Sequence, residues 1–212
     1  NQNINNVLSG TFNFKDDSYS DNPASKIYEP DSKFCEIYNE LVINKIKQDK
    51  RTEYPQKILG NPDDFNRVAL ISYGRANFDQ HELDFSPNQE FTAEDKVDLY
   101  CYYNMRKHYF SSYRIFDGYS EYFKKTISNN NNRVSFFDIG CGPATSGLAF
   151  NQFFSNGNDN FYLNYFGIDI SEAMTNKANE FVQAGLFSSN HKAFFYKSFD
   201  QLEIELLEDF LM

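Results

Sequence analysis

The chain has 212 residues, of which 41 % are hydrophobic and 18 % aromatic; there are 23 Phe and 15 Tyr but no Trp. That is enough for one domain of about 120–150 residues with a smaller appendage, and enough aromatic bulk to exclude a disordered chain. Twenty Lys and Arg against thirty Asp and Glu give a net charge of −10, which argues against a broad nucleic-acid face, because phosphate affinity comes from Lys and Arg.

Residues 1–30 are polar and rich in Asn, Ser and Asp, and read as an extended arm. Residues 32–50 place Phe34, Ile37, Tyr38, Leu41, Val42 and Ile46 at steps of three and four, which predicts an amphipathic helix with Lys45, Lys47, Lys50 and Arg51 at its negative end. Residues 54–61 read as a loop, Pro62 as the opening of a short helix, and residues 75–88 as a connector. Thr92, followed by Glu94 and Asp95, is a helix start. Residues 96–123 predict one helix, or two that break near Asp117 and Gly118. The four asparagines at 129–132 read as a loop.

Beyond them the pattern changes. Residues 134–138, 161–169 and 193–197 read as strands, with helices at 144–154 and 171–184 between them. Strands alternating with helices imply βαβ units and a parallel sheet. The expected fold class is α/β, a partial parallel sheet sandwiched by helices and preceded by an α-helical N-terminal region. Three regions follow: an N-terminal arm and helical region at 1–92, an aromatic-rich helical lid or connector at 93–128, and an incomplete ligand-binding domain at 129–212.

At the first strand–helix junction stands Asp138-Ile139-Gly140-Cys141-Gly142-Pro143-Ala144-Thr145. Glycine permits the tight turn and close ligand approach, and the helix start offers free N–H groups. The dinucleotide fingerprint G-x-G-x-x-G fits poorly: Thr145 stands in the third glycine place and Gly147 comes two residues late. The segment instead resembles motif I of the class I S-adenosylmethionine-dependent methyltransferases, D/E-x-G-x-G-x-G, with Ala144 replacing the last glycine. Gly167-Ile168-Asp169-Ile170-Ser171-Glu172-Ala173-Met174 is similar to that family's second strand and its exit.

The resemblance covers residues 133–212 and implies a Rossmann-like fold and the cofactor S-adenosyl-L-methionine. Asp138, Gly140, Cys141, Gly142, Pro143 and Ala144 are expected to hold the methionine end. Asp169 is expected to accept both ribose hydroxyls, which suits a carboxylate. Ile170 and Met174 are expected to flank adenine, with Ser198, Phe199 and Asp200 at its edge. The implied activity is methyl transfer to a small-molecule or protein acceptor; no catalytic residue is identified. The rival readings are a non-catalytic cofactor-binding module that needs a partner chain, and a nicotinamide-dependent oxidoreductase.

Each residue also has a plain structural use. The two glycines serve a tight turn, Asp169 a helix cap, and Met174 the core. The aromatic stretch 100–110 reads first as a packed helix and second as a lid, with Tyr103, Arg106 or His108 reaching the site. Cys141 is given no catalytic role. His81, His108 and His191 are scattered, and no His/Cys/Asp cluster has metal-ligand spacing, so no metal is expected.

Cys35, Cys101 and Cys141 form no C-x-x-C pair, which suits a reducing compartment, and the expected location is cytoplasmic. No run approaches the roughly 20 apolar residues of a membrane span. The seven strands usual in the family are not all here, and residues 209–212 read as the start of a fourth. An open three-stranded parallel sheet exposes apolar faces and an edge. A truncated or split protein is therefore expected, with a partner chain or self-association completing the sheet; a reduced domain is the alternative.

Overall fold

The computed structural model describes residues 28–49, 79, 92–156, 160–188 and 190–202. The expectations for residues 1–27, 54–65, 75–88 other than Asp79, and 209–212 lie outside the described residues.

Helix α1 (Ser32–Tyr38) runs through a π-helical stretch (Asn39–Asn44) into α2 (Lys45–Gln48). Its start is capped by Asp31, which accepts the Phe34 N–H at 2.6 Å. Helix α3 (Ala93–Tyr100) opens with a capping box: Thr92 Oγ1 accepts the Asp95 N–H at 3.2 Å, and the Asp95 carboxylate accepts the Thr92 N–H at 3.0 Å. It passes through a second π-helical stretch (Cys101–Met105) into α4 (Arg106–Gly118). The break falls at Tyr119, next to the expected Gly118, and α5 (Ser120–Asn129) follows. Asn131 and Asn132 then take φ of 55° and 61°, a region Asn tolerates better than most residues, and turn the chain into the sheet.

The sheet has strands β1 (Arg133–Ile139), β2 (Tyr162–Ile168) and β3 (Lys192–Tyr196), all parallel, in the order β1-β2-β3. Helix α6 (Thr145–Ser155) connects β1 to β2. Helix α7 (Glu172–Phe181), with a π-helical extension (Val182–Leu186), connects β2 to β3. The protein is thus α/β, with a three-stranded parallel sheet flanked by helices.

Period-two alternation sorts the strand side chains. Val134, Phe136, Leu163, Tyr165, Ala193 and Phe195 point into the core shared with the helices. There the Phe136 and Phe150 rings stack at 4.9 Å, and Phe116 of α4 meets Phe150 edge-on at 5.1 Å. The opposite parity carries Phe137, Phe166 and Phe194, which register across the three strands and stack at 4.8 and 5.3 Å. Helix α4 packs along α6, and α3 along α7, so the N-terminal helices form a layer over the crossover helices.

A buried ion-pair group fixes α3 against α7. Lys177 of α7 is 3 % exposed and lies 2.8 Å from the Asp98 carboxylate of α3 and 2.7 Å from Glu180; its ammonium also donates to the Leu41 carbonyl at 3.1 Å. Lys45 meets the other Asp98 oxygen at 3.0 Å. Burial alone lowers the Lys177 pKa, but Asp98 first, then Glu180, more than offset it, so the net direction is upward and Lys177 is charged. Truncating Asp98→Ala leaves a buried cation with only the half-exposed Glu180 as counter-ion. The expected loss is about 3–5 kcal/mol in urea unfolding, with most of it recovered in the apolar pair Asp98→Leu/Lys177→Met.

His191, just before β3, is wedged edge-on to Phe161 at 5.3 Å and Phe187 at 6.3 Å. Its Nε2 meets the Phe161 carbonyl at 3.0 Å, and its buried Nδ1 has no partner among the described residues. Burial lowers its pKa, opposed by the Phe161 carbonyl. With the folded pKa below the unfolded value of about 6.5, the unfolded chain binds the proton more readily. Stability is therefore full above that value and falls as pH drops through it toward the folded pKa. Thermal melts of the parent and of His191→Gln from pH 7.5 to 5 are expected to show a shallower decline in the variant.

Candidate functional site

The three strand tips lie level: Ile139 registers with Ile168, and Ile168 with Tyr196. The loop after β1 is pinned to β2, since Gly140 N–H and Cys141 N–H both donate to the Ile168 carbonyl, at 2.7 and 3.1 Å. Gly140, Gly142 and Ala144 take φ of 72°, 53° and 60°. This alternating left-handed path is free for glycine but costs a residue with a Cβ about 1–2 kcal/mol, a cost that Ala144 bears. Ala144 is fully buried, and its carbonyl accepts the Leu148 N–H at 2.9 Å to start α6.

Asp169 follows β2, and its carboxylate bridges two segments. Oδ2 accepts the Gly142 N–H at 2.8 Å, and Oδ1 accepts the Ser171 N–H at 3.0 Å. The helix-capping role falls to other residues. Ser171 Oγ accepts the Met174 N–H at 3.3 Å, and the Asp79 carboxylate accepts the Glu172 and Ala173 N–H groups and the Ser171 hydroxyl. Nothing near Asp79 in sequence signals that role; it acts from 92 positions away.

Asp138, on β1, accepts the Tyr165 hydroxyl at 2.7 Å. Burial raises its pKa, the Tyr165 hydrogen bond opposes the shift, and the charge of Asp169 adds to it. Cys141 is 5 % exposed, and burial pushes its thiol pKa up, so it stays protonated at neutral pH.

Over the strand tips lies a cavity of about 880 Å³. Gly140, Gly142, Asp169 and Ser171 form its floor; Ile139, Ile168, Ile170, Met174 and Phe199 supply its apolar surface; Lys197, Ser198 and Asp200 close the β3 side. Ile139, Ile170 and Phe199 are 68, 52 and 56 % exposed, large apolar groups gathered at one opening. Met174 serves two places at once, being buried in the core and lining the cavity. Of the residues expected from sequence, Asp138, Cys141, Pro143 and Ala144 are not among the described lining residues.

The helical layer supplies the facing wall through Tyr100, Asn104 and His108. Of the three aromatic-stretch residues expected to reach the site, His108 does, while Tyr103 and Arg106 are not among the described lining residues. Lys197 was also not legible; its ammonium pairs with Glu172, which raises its pKa and keeps it charged.

Among the described residues no group of three His, Cys, Asp or Glu side chains is arranged to hold a metal ion, and no helix is long and apolar enough to cross a membrane. In comparisons with known proteins, no family model, no curated protein and no solved structure matches the chain.

Gly147 couples helix packing to the floor. A Cβ there would lie 2.3 Å from Tyr165 Cε2 and 2.7 Å from Cδ2 and Cζ. Gly147→Ala gains about 1 kcal/mol in helix propensity but forces aside the ring whose hydroxyl holds Asp138, an overpacking cost of about 1–3 kcal/mol. Denaturant unfolding is expected to show a net loss of stability, whereas Ala149→Gly, which relieves no clash, loses stability without displacing Tyr165. The tyrosine fluorescence of the folded state separates the two.

Proposed function

We propose that the chain carries part of a Rossmann-like domain that binds S-adenosyl-L-methionine over its strand tips, and that it is a methyltransferase. The supporting observation is the bridging carboxylate of Asp169: it lies at the tip of the central strand, lines the cavity, and borders a loop of left-handed small residues on the adjacent strand. Each of its oxygens accepts one backbone N–H, and a carboxylate oxygen has a second lone pair. Two remaining acceptor sites side by side suit the vicinal hydroxyls of a ribose.

The rest of the lining fits that ligand. Gly140 and Gly142 offer bare backbone for the amino-acid tail, and Asp138 behind them adds negative potential for its ammonium. Ile170, Met174 and Phe199 offer apolar and aromatic surface for adenine, with Ser198 and Asp200 as polar partners at its edge. A dinucleotide fits less well, because its pyrophosphate needs an open helix N-terminus, and Ala144 and Thr145 at the start of α6 are buried outside the cavity lining. When bound, S-adenosylmethionine supplies an electrophilic methyl group on a sulfonium; the protein's part is to align donor and acceptor and exclude water.

Titration calorimetry with S-adenosylhomocysteine tests the reading. The parent is expected to bind it and to ignore nicotinamide nucleotides. Asp169→Ala is expected to lose roughly 10- to 100-fold in affinity, the value of hydrogen bonds to a charged group, with circular dichroism confirming that the variant is folded. Equal affinity in a folded Asp169→Ala protein, or preference for a nicotinamide nucleotide, overturns it.

A further inference from the structure

The wall facing Asp169 has an organisation that cofactor binding does not use. Tyr100, Asn104 and His108 are spaced four and four. In a regular α-helix of 3.6 residues per turn, the first and third would drift about 80° apart. Here the π-helical stretch Cys101–Met105 lies between them. Its wider turn slows the rotation, and all three side chains line one cavity. The Tyr100 and His108 rings lie nearly parallel, 11° apart in plane with centroids at 6.0 Å. The result is a wall in which a phenol ring and an imidazole stack and an amide lines the same cavity.

Resting on the methyltransferase reading above, we propose that this wall seats a phenolic methyl acceptor and that His108 takes the acceptor's proton. The phenolic oxygen forms the new bond to the methyl carbon with a lone pair, the former carbon–sulfur bonding pair stays on sulfur, and the phenolic proton passes to the imidazole. Atoms and charge balance: a neutral phenol, a sulfonium and the neutral His108 imidazole become an aryl ether, a thioether and an imidazolium.

Of the other titratable groups at the cavity, Tyr100, Lys197 and Asp169 are held in other roles, and Asp200 lies on the β3 side. Burial first, with the charges of Cys101, Asp169 and Asp138, pushes the Tyr100 hydroxyl up to about 12, so it keeps its proton and serves as a donor. Lys197 is paired with Glu172. Asp169 holds two backbone N–H groups, and Asp200 follows β3, the strand farthest from β1. Imidazole is the side chain most often used for such a transfer, typically contributing about 10²–10⁴-fold in rate. Aromatic acceptors also match the stacked rings geometrically.

The test uses the full chain saturated with S-adenosylhomocysteine, with 1-naphthol and 4-methylphenol as probes and n-butylamine as the comparison. Long-range 1H–15N spectra of the imidazoles, assigned with His108→Gln, are expected to show His108 shifting on addition of either phenol, while His191 does not. Methyl-labelled S-adenosylmethionine is expected to label a phenol at least 100-fold faster with the parent than with His108→Gln. Homocysteine-ligand affinity is expected to stay within twofold, and the gap is expected to narrow at high pH, where the phenol ionises unaided. Spectra in which neither phenol moves His108, equal turnover by His108→Gln, or transfer to n-butylamine alone overturns the proposal while leaving cofactor binding intact. Failure of the parent to bind S-adenosylhomocysteine overturns the cofactor reading and this proposal with it.

Discussion

One carboxylate holds the site together. Asp169 takes an N–H from Gly142 on one oxygen and an N–H from Ser171 on the other, so the loop leaving β1 and the segment leaving β2 meet on one side chain, beyond the Gly140 and Cys141 N–H bonds to the Ile168 carbonyl. The tie matters because three residues of the loop have left-handed backbone, a path with no regular hydrogen-bond ladder to keep it in place. With the loop fixed, the space above Gly140 and Gly142 stays clear, and Ile139, Ile170 and Phe199 stand exposed around it. Large apolar groups converging on a polar floor are the general character of small-molecule sites.

Two further couplings hold the floor and the wall in position. Below the floor, Gly147 lets α6 settle directly on the Tyr165 ring, and Tyr165 in turn orients Asp138. To the side, the Asp98–Lys177 pair docks α3 on α7 in a nearly dry environment, and α3 ends at Tyr100, the first residue of the wall. The ion pair is thus a positional device more than a source of stability, since buried pairs seldom outperform apolar packing. Asp79 adds a third tie by capping α7 beside Ser171.

Much of this arrangement was readable from local chemistry. The strand–helix alternation after residue 132 follows from apolar runs of strand length punctuated by glycine and asparagine, and each of the three strands lies within a residue or two of its expected bounds. Thr92 with Asp95 was legible because capping depends on neighbours three residues apart. Gly140, Gly142, Asp169, Ile170, Ser198, Phe199 and Asp200 line the cavity because each sits at or just past a strand tip, where a parallel sheet gathers its loops, and Met174 joins them from the first turn of α7. The wall was harder. Helical periodicity applied to residues 96–123 assumes 3.6 residues per turn throughout, and the π-helical stretch rephases the face, bringing in Tyr100 and Asn104 and leaving out Tyr103 and Arg106. The Tyr165–Asp138 bond, the Gly147 contact and the Asp79 cap depend on packing between distant residues, which no local pattern encodes.

The most direct measurement is a crystal structure of the chain grown with S-adenosylhomocysteine. Density is expected over the strand tips, with the two ribose hydroxyls within hydrogen-bond distance of the Asp169 oxygens and the adenine ring against Ile170 and Phe199. Ligand density elsewhere on the protein, or a ribose turned away from Asp169 toward the start of α6, contradicts that placement.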